Sequence, residues 1–275
     1  MGTRLTLEEI REIQIDILKH VVAVCRDNDL QYYLVYGTLL GAVRHSGFIP
    51  WDDDIDIALP RDDFDKLESI YRSRPPKHIQ WVDYKDDSRI RHNIAKLCDR
   101  RTFLAEGWMA AVYEKPLPLG VCIDIFALDG VPRTSIMKEV HYRRVQLLKM
   151  LMSMSTADTT KLRPLHKKLI IALVRWLMGE PLVRRAVHGL LENTIRQYEY
   201  DSSDEVCSYL GAYGKKGIFP KAWIGEGDIL VFEGLALSVF HEYDKYLSQM
   251  YGDYLELPPV EQRKPPHRYQ AFRVS

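Results

Sequence analysis

The chain has 275 residues, 46% of them apolar, with 38 Lys and Arg against 38 Asp and Glu. That length and apolar content suit one large domain or two small ones, and the neutral balance gives no bulk attraction for nucleic acid. Cys25, Cys98, Cys122 and Cys207 form no CxxC pair, which argues against a structural zinc site and a disulfide framework and suits reduced thiols in a cytoplasm.

Thr6-Leu7-Glu8-Glu9 reads as a capping box. Ile10, Ile13, Ile17, Leu18 and Val21 then recur at helical spacing, predicting a helix to about Asp27. This segment is charged and amphipathic and has no apolar leader core. Tyr32 to Tyr36 predicts a strand that Gly37 ends, and Thr38 to His45 a short helix. Asp54 to Leu59 predicts a second strand and Pro60 to Arg72 a helix burying Phe64, Leu67, Ile70 and Tyr71. Further strands are expected at 79–84, 92–97 and 121–126. From Ser135 to about Tyr200 the pattern is helical. Strand-like pieces follow at 206–210 and 229–240, the latter broken at Glu233-Gly234, then a helix from about Tyr243 to Tyr251 and a Pro-rich tail. The expected fold is α+β, a mixed sheet core with flanking helices and a helical insertion. It divides into residues 1–134, 135–200 and 201–275, arranged as one compact unit.

The chemistry concentrates in Pro50-Trp51-Asp52-Asp53-Asp54-Ile55-Asp56-Ile57. On a strand, Asp54 and Asp56 share one face while Ile55 and Ile57 enter the core. Such a carboxylate pair suits a divalent cation held against phosphate oxygens. Asp124, in the otherwise apolar Val121-Cys122-Ile123-Asp124-Ile125-Phe126, is the candidate third ligand. Its alternative is a strand-end acid paired with an arginine. By strand parity Asp52 supports the pair and Asp53 points away. Gly37-Thr38 suits backbone approach to a phosphate, or is simply a turn. Gly41, one helical turn along, allows close packing. Arg44, Lys96, Arg100 and Arg101 are candidates to neutralise a pyrophosphate, Lys96 foremost because it alternates with apolar neighbours. The alternative is a solvated basic face.

Lys161, Arg163, His166, Lys167, Lys168, Arg175, Arg184 and Arg185 make a basic helical region. It reads first as a packed helix with a basic outer face, and second as a surface for an anionic membrane or polymer. His45 and His267 lie nearest recognisable motifs. No GxSxG, GxxxxGK[ST] or GxGxxG occurs, which counts against hydrolase, kinase and dehydrogenase readings.

Tyr36-Gly37-Thr38-Leu39-Leu40-Gly41-Ala42-Val43-Arg44-His45, followed by Gly47-Phe48-Ile49-Pro50-Trp51-Asp52-Asp53-Asp54-Ile55-Asp56-Ile57, closely resembles the signature of the LicD family, to which fukutin and the fukutin-related protein are more distantly similar. Lys96-Leu97-Cys98-Asp99, Ile123-Asp124-Ile125-Phe126, Phe232-Glu233-Gly234 and Tyr251-Gly252-Asp253-Tyr254 extend the resemblance along the chain. The resemblance implies a nucleotidyltransferase-like core in which Gly37-Thr38, Asp54/Asp56 and Asp124 occupy the motif positions. It implies a magnesium-dependent enzyme, with manganese as an alternative ion, moving phosphocholine from CDP-choline to a sugar hydroxyl of a lipopolysaccharide or teichoic-acid precursor. Arg44 and Lys96 would hold the donor, and no nucleic acid takes part. The implied location is cytoplasmic, at or near the inner membrane face. Nucleotidyl transfer, another phospho-substituent, or an inactive binding protein are the alternatives. A quaternary ammonium would need aromatic faces, and Trp51, Trp81, Trp108 and Tyr113 are candidates.

Overall fold

The computed structural model describes residues 2–90, 93–106, 117, 119–155, 164–264 and 269–274. Helix α1 (Leu7–Asp27) starts at the expected capping box: the Thr6 hydroxyl accepts from Glu9 N while Glu9 reaches back to Thr6 N. Such a cap contributes about 1 kcal/mol. Strand β1 is only Tyr33–Leu34, and α2 (Tyr36–His45) follows at once. The break therefore falls at Tyr36 and not at Gly37. Tyr36 takes φ +50°, in the left-handed region, which ends the strand abruptly.

Next come β2 (Asp56–Pro60), α3 (Arg61–Ser73), β3 (Ile79–Val82), β4 (Ala95–Asp99), β5 (Thr102–Glu106) and β6 (Cys122–Gly130). Three helices follow, α4 (Ser135–Ser155), α5 (Leu165–Leu177) and α6 (Pro181–Ile195). The chain then forms β7 (Glu205–Cys207), β8 (Ile218–Pro220), β9 (Asp228–Phe232), β10 (Leu235–Val239), α7 (Tyr243–Tyr251) and β11 (Tyr269–Arg273). The architecture is the expected α+β class. The β9–β10 hairpin turns at Glu233-Gly234 as predicted, whereas β5, β8 and β11 were not foreseen.

The principal sheet runs β1-β2-β6-β4-β3, and β7 and β8 extend from the far end of β6. Only β2 and β6 are parallel among its described pairs. Ile55, Ile57, Ile123 and Ile125 are fully buried, and α1 and α3 pack over the sheet. Each such side chain contributes about 1.5–3 kcal/mol. The alternation expected for Ile55 and Ile57 is therefore what the fold uses.

The central helices are tied to the sheet by charge. Arg61 of α3 grips Asp129 of β6 with two parallel bonds of 2.7 and 2.6 Å and reaches Glu192 of α6 at 3.1 Å. Arg196 joins Glu192 at 2.8 Å and Asp65 at 2.5 and 2.7 Å. The basic outer face expected of the central region is only part of what α5 presents: Lys167 and Lys168 are exposed, but so is an apolar stripe. Leu165, Leu169, Leu173 and Trp176 point outward, while Ile171 and Val174 are the buried side. The inward positions needed apolar residues, but the outward ones are apolar as well. Lys161 and Arg163 lie outside the described residues. No helix among the described residues is long and apolar enough to cross a membrane.

Candidate active site

Pairing in a sheet puts opposed residues on one face. Asp56 of β2 stands opposite Asp124 of β6, and Asp124 opposite Lys96 of β4. Two carboxylates and an ammonium therefore form one row across three strands. Lys96 Nζ bonds directly to Asp124, so the partner of that strand acid is a lysine rather than an arginine. Burial alone would lower the Lys96 pKa, but Asp124 outweighs it and holds it above the usual lysine value.

Asp56 is buried, 9% exposed. Burial pushes its carboxyl well above the ordinary range, and Asp54, Asp124 and Asp52 add to the rise while Lys96 opposes it. Its backbone is fixed from both sides. Asp56 N donates to Thr38 Oγ1 at 2.8 Å, and Asp56 O accepts from Val35 N at 3.2 Å. The Thr38 hydroxyl thus anchors the start of β2.

The strand begins at Asp56, so residues 52–54 belong to the preceding loop and strand parity does not govern them. That corrects the expectation for Asp53, and equally the one that set Asp54 on a strand face with Asp56. The carboxylates of Asp52, Asp53 and Asp54 can each present an oxygen within 4.8 Å of the others, and Asp53 is buried. Gly37 serves this loop: a Cβ there would lie 2.8 Å from Asp52 Oδ2. Gly41 makes the expected close contact, since its Cβ would meet Gly47 O at 2.4 Å.

Two residues of α1 that sequence reasoning missed hold the acidic loop in place. Arg11 donates to Asp52 O at 2.6 Å and to Ile49 O and Pro50 O at 3.0 Å each, with its guanidinium 4.8 Å from the centre of the Phe48 ring. Gln14 Nε2 donates to Asp53 O at 2.9 Å and Cys122 O at 3.1 Å, joining the loop to β6. Glu233 clamps the other end, accepting from Phe48 N at 3.0 Å and donating its own N–H to Ser46 O at 3.0 Å. Arg11→Met is expected to lower kcat/KM about 10- to 100-fold, the usual cost of losing an outer-shell partner of a charged site. Steady-state kinetics checks the rate, and an unshifted melting curve would show that the loss is local.

The other sequence candidates are distributed differently. Arg44 donates to Tyr254 O at 3.0 Å at the far end of α2, about 10 Å along the helix from Gly37. It lines a cavity of ≈ 440 Å³ with Trp51, Tyr251 and Pro258. Arg100 is bonded to Gln80 at 3.0 Å, and Arg101 to Asp99 at 2.5 Å, in the turn between β4 and β5. Trp81 is a core residue whose Nε1 donates to Asp83 at 3.0 Å. His45 accepts from Arg44 at 3.1 Å. Trp108, Tyr113 and His267 lie outside the described residues.

A group of tyrosines lies close enough to the acids to feel their charge. Tyr213 stacks on Tyr36 at 5.2 Å and meets Tyr251 edge-on at 5.2 Å, its hydroxyl donating to that of Tyr251 at 2.6 Å. Burial raises the Tyr213 phenol, and the charges of Asp56, Asp52 and Asp54 raise it further. Tyr36 and Tyr251 fall within recognisable motifs, but Tyr213 had no sequence signal.

The site satisfies a simple test for a hard divalent cation. A buried carboxyl resists ionisation among like charges, and the donors offered are all oxygen, the set that magnesium or manganese prefers. A mixed sheet carrying acids on adjacent strands, beside a helix with Gly37 in its first turn, is an arrangement suited to holding phosphate groups through a cation.

Comparison with known proteins agrees. Residues 29–116 match the family model "LicD/FKTN/FKRP, nucleotidyltransferase domain". The lipopolysaccharide cholinephosphotransferase LicD of Haemophilus influenzae is 30% identical over 281 residues, covering 98% of each chain. Human ribitol 5-phosphate transferase FKRP is 38% identical over 52 residues, 19% of this chain and 10% of that one. A Rickettsia typhi protein, RT0683, is 45% identical over 86 residues, 31% of this chain and 25% of its own. The chain belongs to the LicD family and is a transferase.

Proposed function

We propose that this protein transfers a phosphocholine-type group from a CDP-linked donor, CDP-choline, to a sugar hydroxyl of a cell-surface glycan precursor, releasing CMP. The observation that carries the reading is the row of Asp56, Asp124 and Lys96 beside the loop acids Asp52 to Asp54. The full-length similarity to a cholinephosphotransferase supports the choice of group.

Asp54, Asp56 and Asp124 would hold magnesium, or manganese in its place. When bound, the ion offsets the charge of the donor pyrophosphate and of the departing CMP. The acceptor oxygen attacks the phosphorus bearing choline, the bond from that phosphorus to the CMP oxygen breaks, and the hydroxyl proton passes to a carboxylate; Asp124 would either complete the ion's ligands or take that proton. Lys96 neutralises Asp124 and lies in reach of a phosphate oxygen displaced toward β4. Gly37 keeps the α2 N-terminus clear for the donor, Arg44 lines the cavity beyond it, and Trp51, Tyr213 and Tyr251 offer aromatic faces to a quaternary ammonium. The acceptor is a lipopolysaccharide or teichoic-acid precursor on the cytoplasmic side of the membrane.

Incubation with CDP-choline, magnesium and an extracted glycan precursor tests this. CMP release with choline appearing on the glycan is the expected result. The partial similarity to a ribitol 5-phosphate transferase makes CDP-ribitol the informative competitor. Faster turnover of CDP-ribitol would replace choline in this reading. Release of pyrophosphate from a nucleoside triphosphate would instead mean nucleotidyl transfer. No metal binding and no turnover of any of these would mean a binding protein.

A further inference from the structure

Helix α5 is apolar on the side that faces outward. Leu165, Leu169, Leu173 and Trp176 follow one another at helical spacing and are 72%, 62%, 56% and 76% exposed. Leu182, near the start of α6, is likewise 77% exposed. The opposite side of α5 is occupied, since Ile171 and Val174 are buried and Met178 packs with Met152. The outward stripe is therefore surplus to the fold, and apolar patches of this kind mark interaction surfaces.

The charges beside the stripe indicate the partner. Between Leu165 and Leu190 there are five Lys and Arg, at 167, 168, 175, 184 and 185, and a single acid, Glu180. Lys167, Lys168 and Arg185 are exposed, whereas Arg184 is engaged by the carbonyls of Met178 and Gly179. A second copy of this chain docked through the same face would bring these cations toward one another, because a two-fold interface juxtaposes identical patches. An anionic lipid surface matches both components. Apolar side chains enter the acyl boundary, a tryptophan sits at headgroup level, and lysines reach lipid phosphates. At 13 residues, α5 is about 20 Å long and lies in the plane rather than spanning.

We infer that α5, with the start of α6, seats the protein on the surface of an anionic phospholipid bilayer. The inference is independent of the donor and acceptor assigned above. Its test is flotation of the full chain with vesicles of equimolar phosphatidylglycerol and phosphatidylcholine, and with phosphatidylcholine alone. The chain is expected to float with the anionic vesicles, and raised salt to weaken that binding. The combined variant Leu169→Ser/Leu173→Ser/Trp176→Ser should bind at least about tenfold more weakly, with an unchanged melting curve. Lys167→Glu/Lys168→Glu should also weaken it, while leaving the stripe intact. Failure of the natural chain to float, or equal flotation of the triple variant, overturns the inference. So does a dimer in solution that the triple variant converts to monomer, which would make the stripe a self-interface.

Discussion

Asp56→Asn is expected to lower kcat by about 10³-fold or more, some 4 kcal/mol of transition-state stabilisation, because it removes a charge from the centre of the proposed cation site. The same change is expected to stabilise the ion-free protein by about 1 kcal/mol, raising Tm by about 2–4 °C. The two effects share one cause. Asp56 is buried next to Asp54, Asp124 and Asp52, and an uncharged amide of equal shape relieves both the burial cost and the repulsion. Thermal melts with and without magnesium supply a further check: the ion should raise Tm of the natural protein and leave that of the variant unchanged. Asp62→Asn, in the exposed first turn of α3, is the control that should change neither rate nor Tm. A variant at Asp56 that kept the natural rate would remove the carboxylate row from the mechanism.

Asp129→Asn is expected to cost up to about 3 kcal/mol of stability, a large share of the total for a domain, because the buried Arg61 guanidinium loses its two-bond partner and keeps only Glu192 close by. Replacing both partners together, Arg61→Met/Asp129→Leu, should recover most of that loss, since no buried charge is then left unpaired. Urea titration measures both variants. Within this network Glu192 contributes to acid sensitivity, whereas Asp129, whose carboxyl burial holds above its ordinary value despite Arg61, does not. Burial would raise Glu192, but Arg61 and Arg196 outweigh it and hold its carboxyl below the ordinary value of 4.5. With the folded pKa depressed, the unfolded chain takes up the proton first. The contribution is therefore complete above about pH 4.5 and is lost as pH falls below it. Glu192→Gln should flatten that acid limb.

The parts of this fold that sequence made legible are those with local causes. The capping box of α1, the Glu233-Gly234 hairpin and the buried isoleucines of β2 are set by neighbouring residues and appear where the pattern put them. Asp54, Asp56 and Asp124 stand out in the sequence because acids among β-branched residues are costly without a purpose, and the sheet brings Asp56 and Asp124 opposite one another. Lys96 was readable as important, although its direct partner, Asp124, lies across a strand pair. Asp53 was misplaced because parity was applied to a loop. The two residues that hold that loop, Arg11 and Gln14, bond to backbone carbonyls 38 to 108 positions away, and main-chain partners leave no trace in side-chain pattern. The tyrosine wall was hidden for a related reason. Tyr36, Tyr213 and Tyr251 come from three distant segments, and although Tyr36 and Tyr251 sit in recognisable motifs, nothing local shows that they meet around Tyr213.

Strand order has a bearing on how the enzyme is made. β6 lies between β2 and β4, yet it is synthesised after both. Until it emerges from the ribosome, β2 and β4 each present an unpaired edge, the kind of surface that recruits other chains. The acidic loop is likewise complete in sequence well before Asp124 exists to face it. Assembly of the row of Asp56, Asp124 and Lys96 therefore coincides with closure of the sheet. A nascent chain halted before residue 120 is expected to depend on chaperones and to show no metal-induced protection from proteolysis.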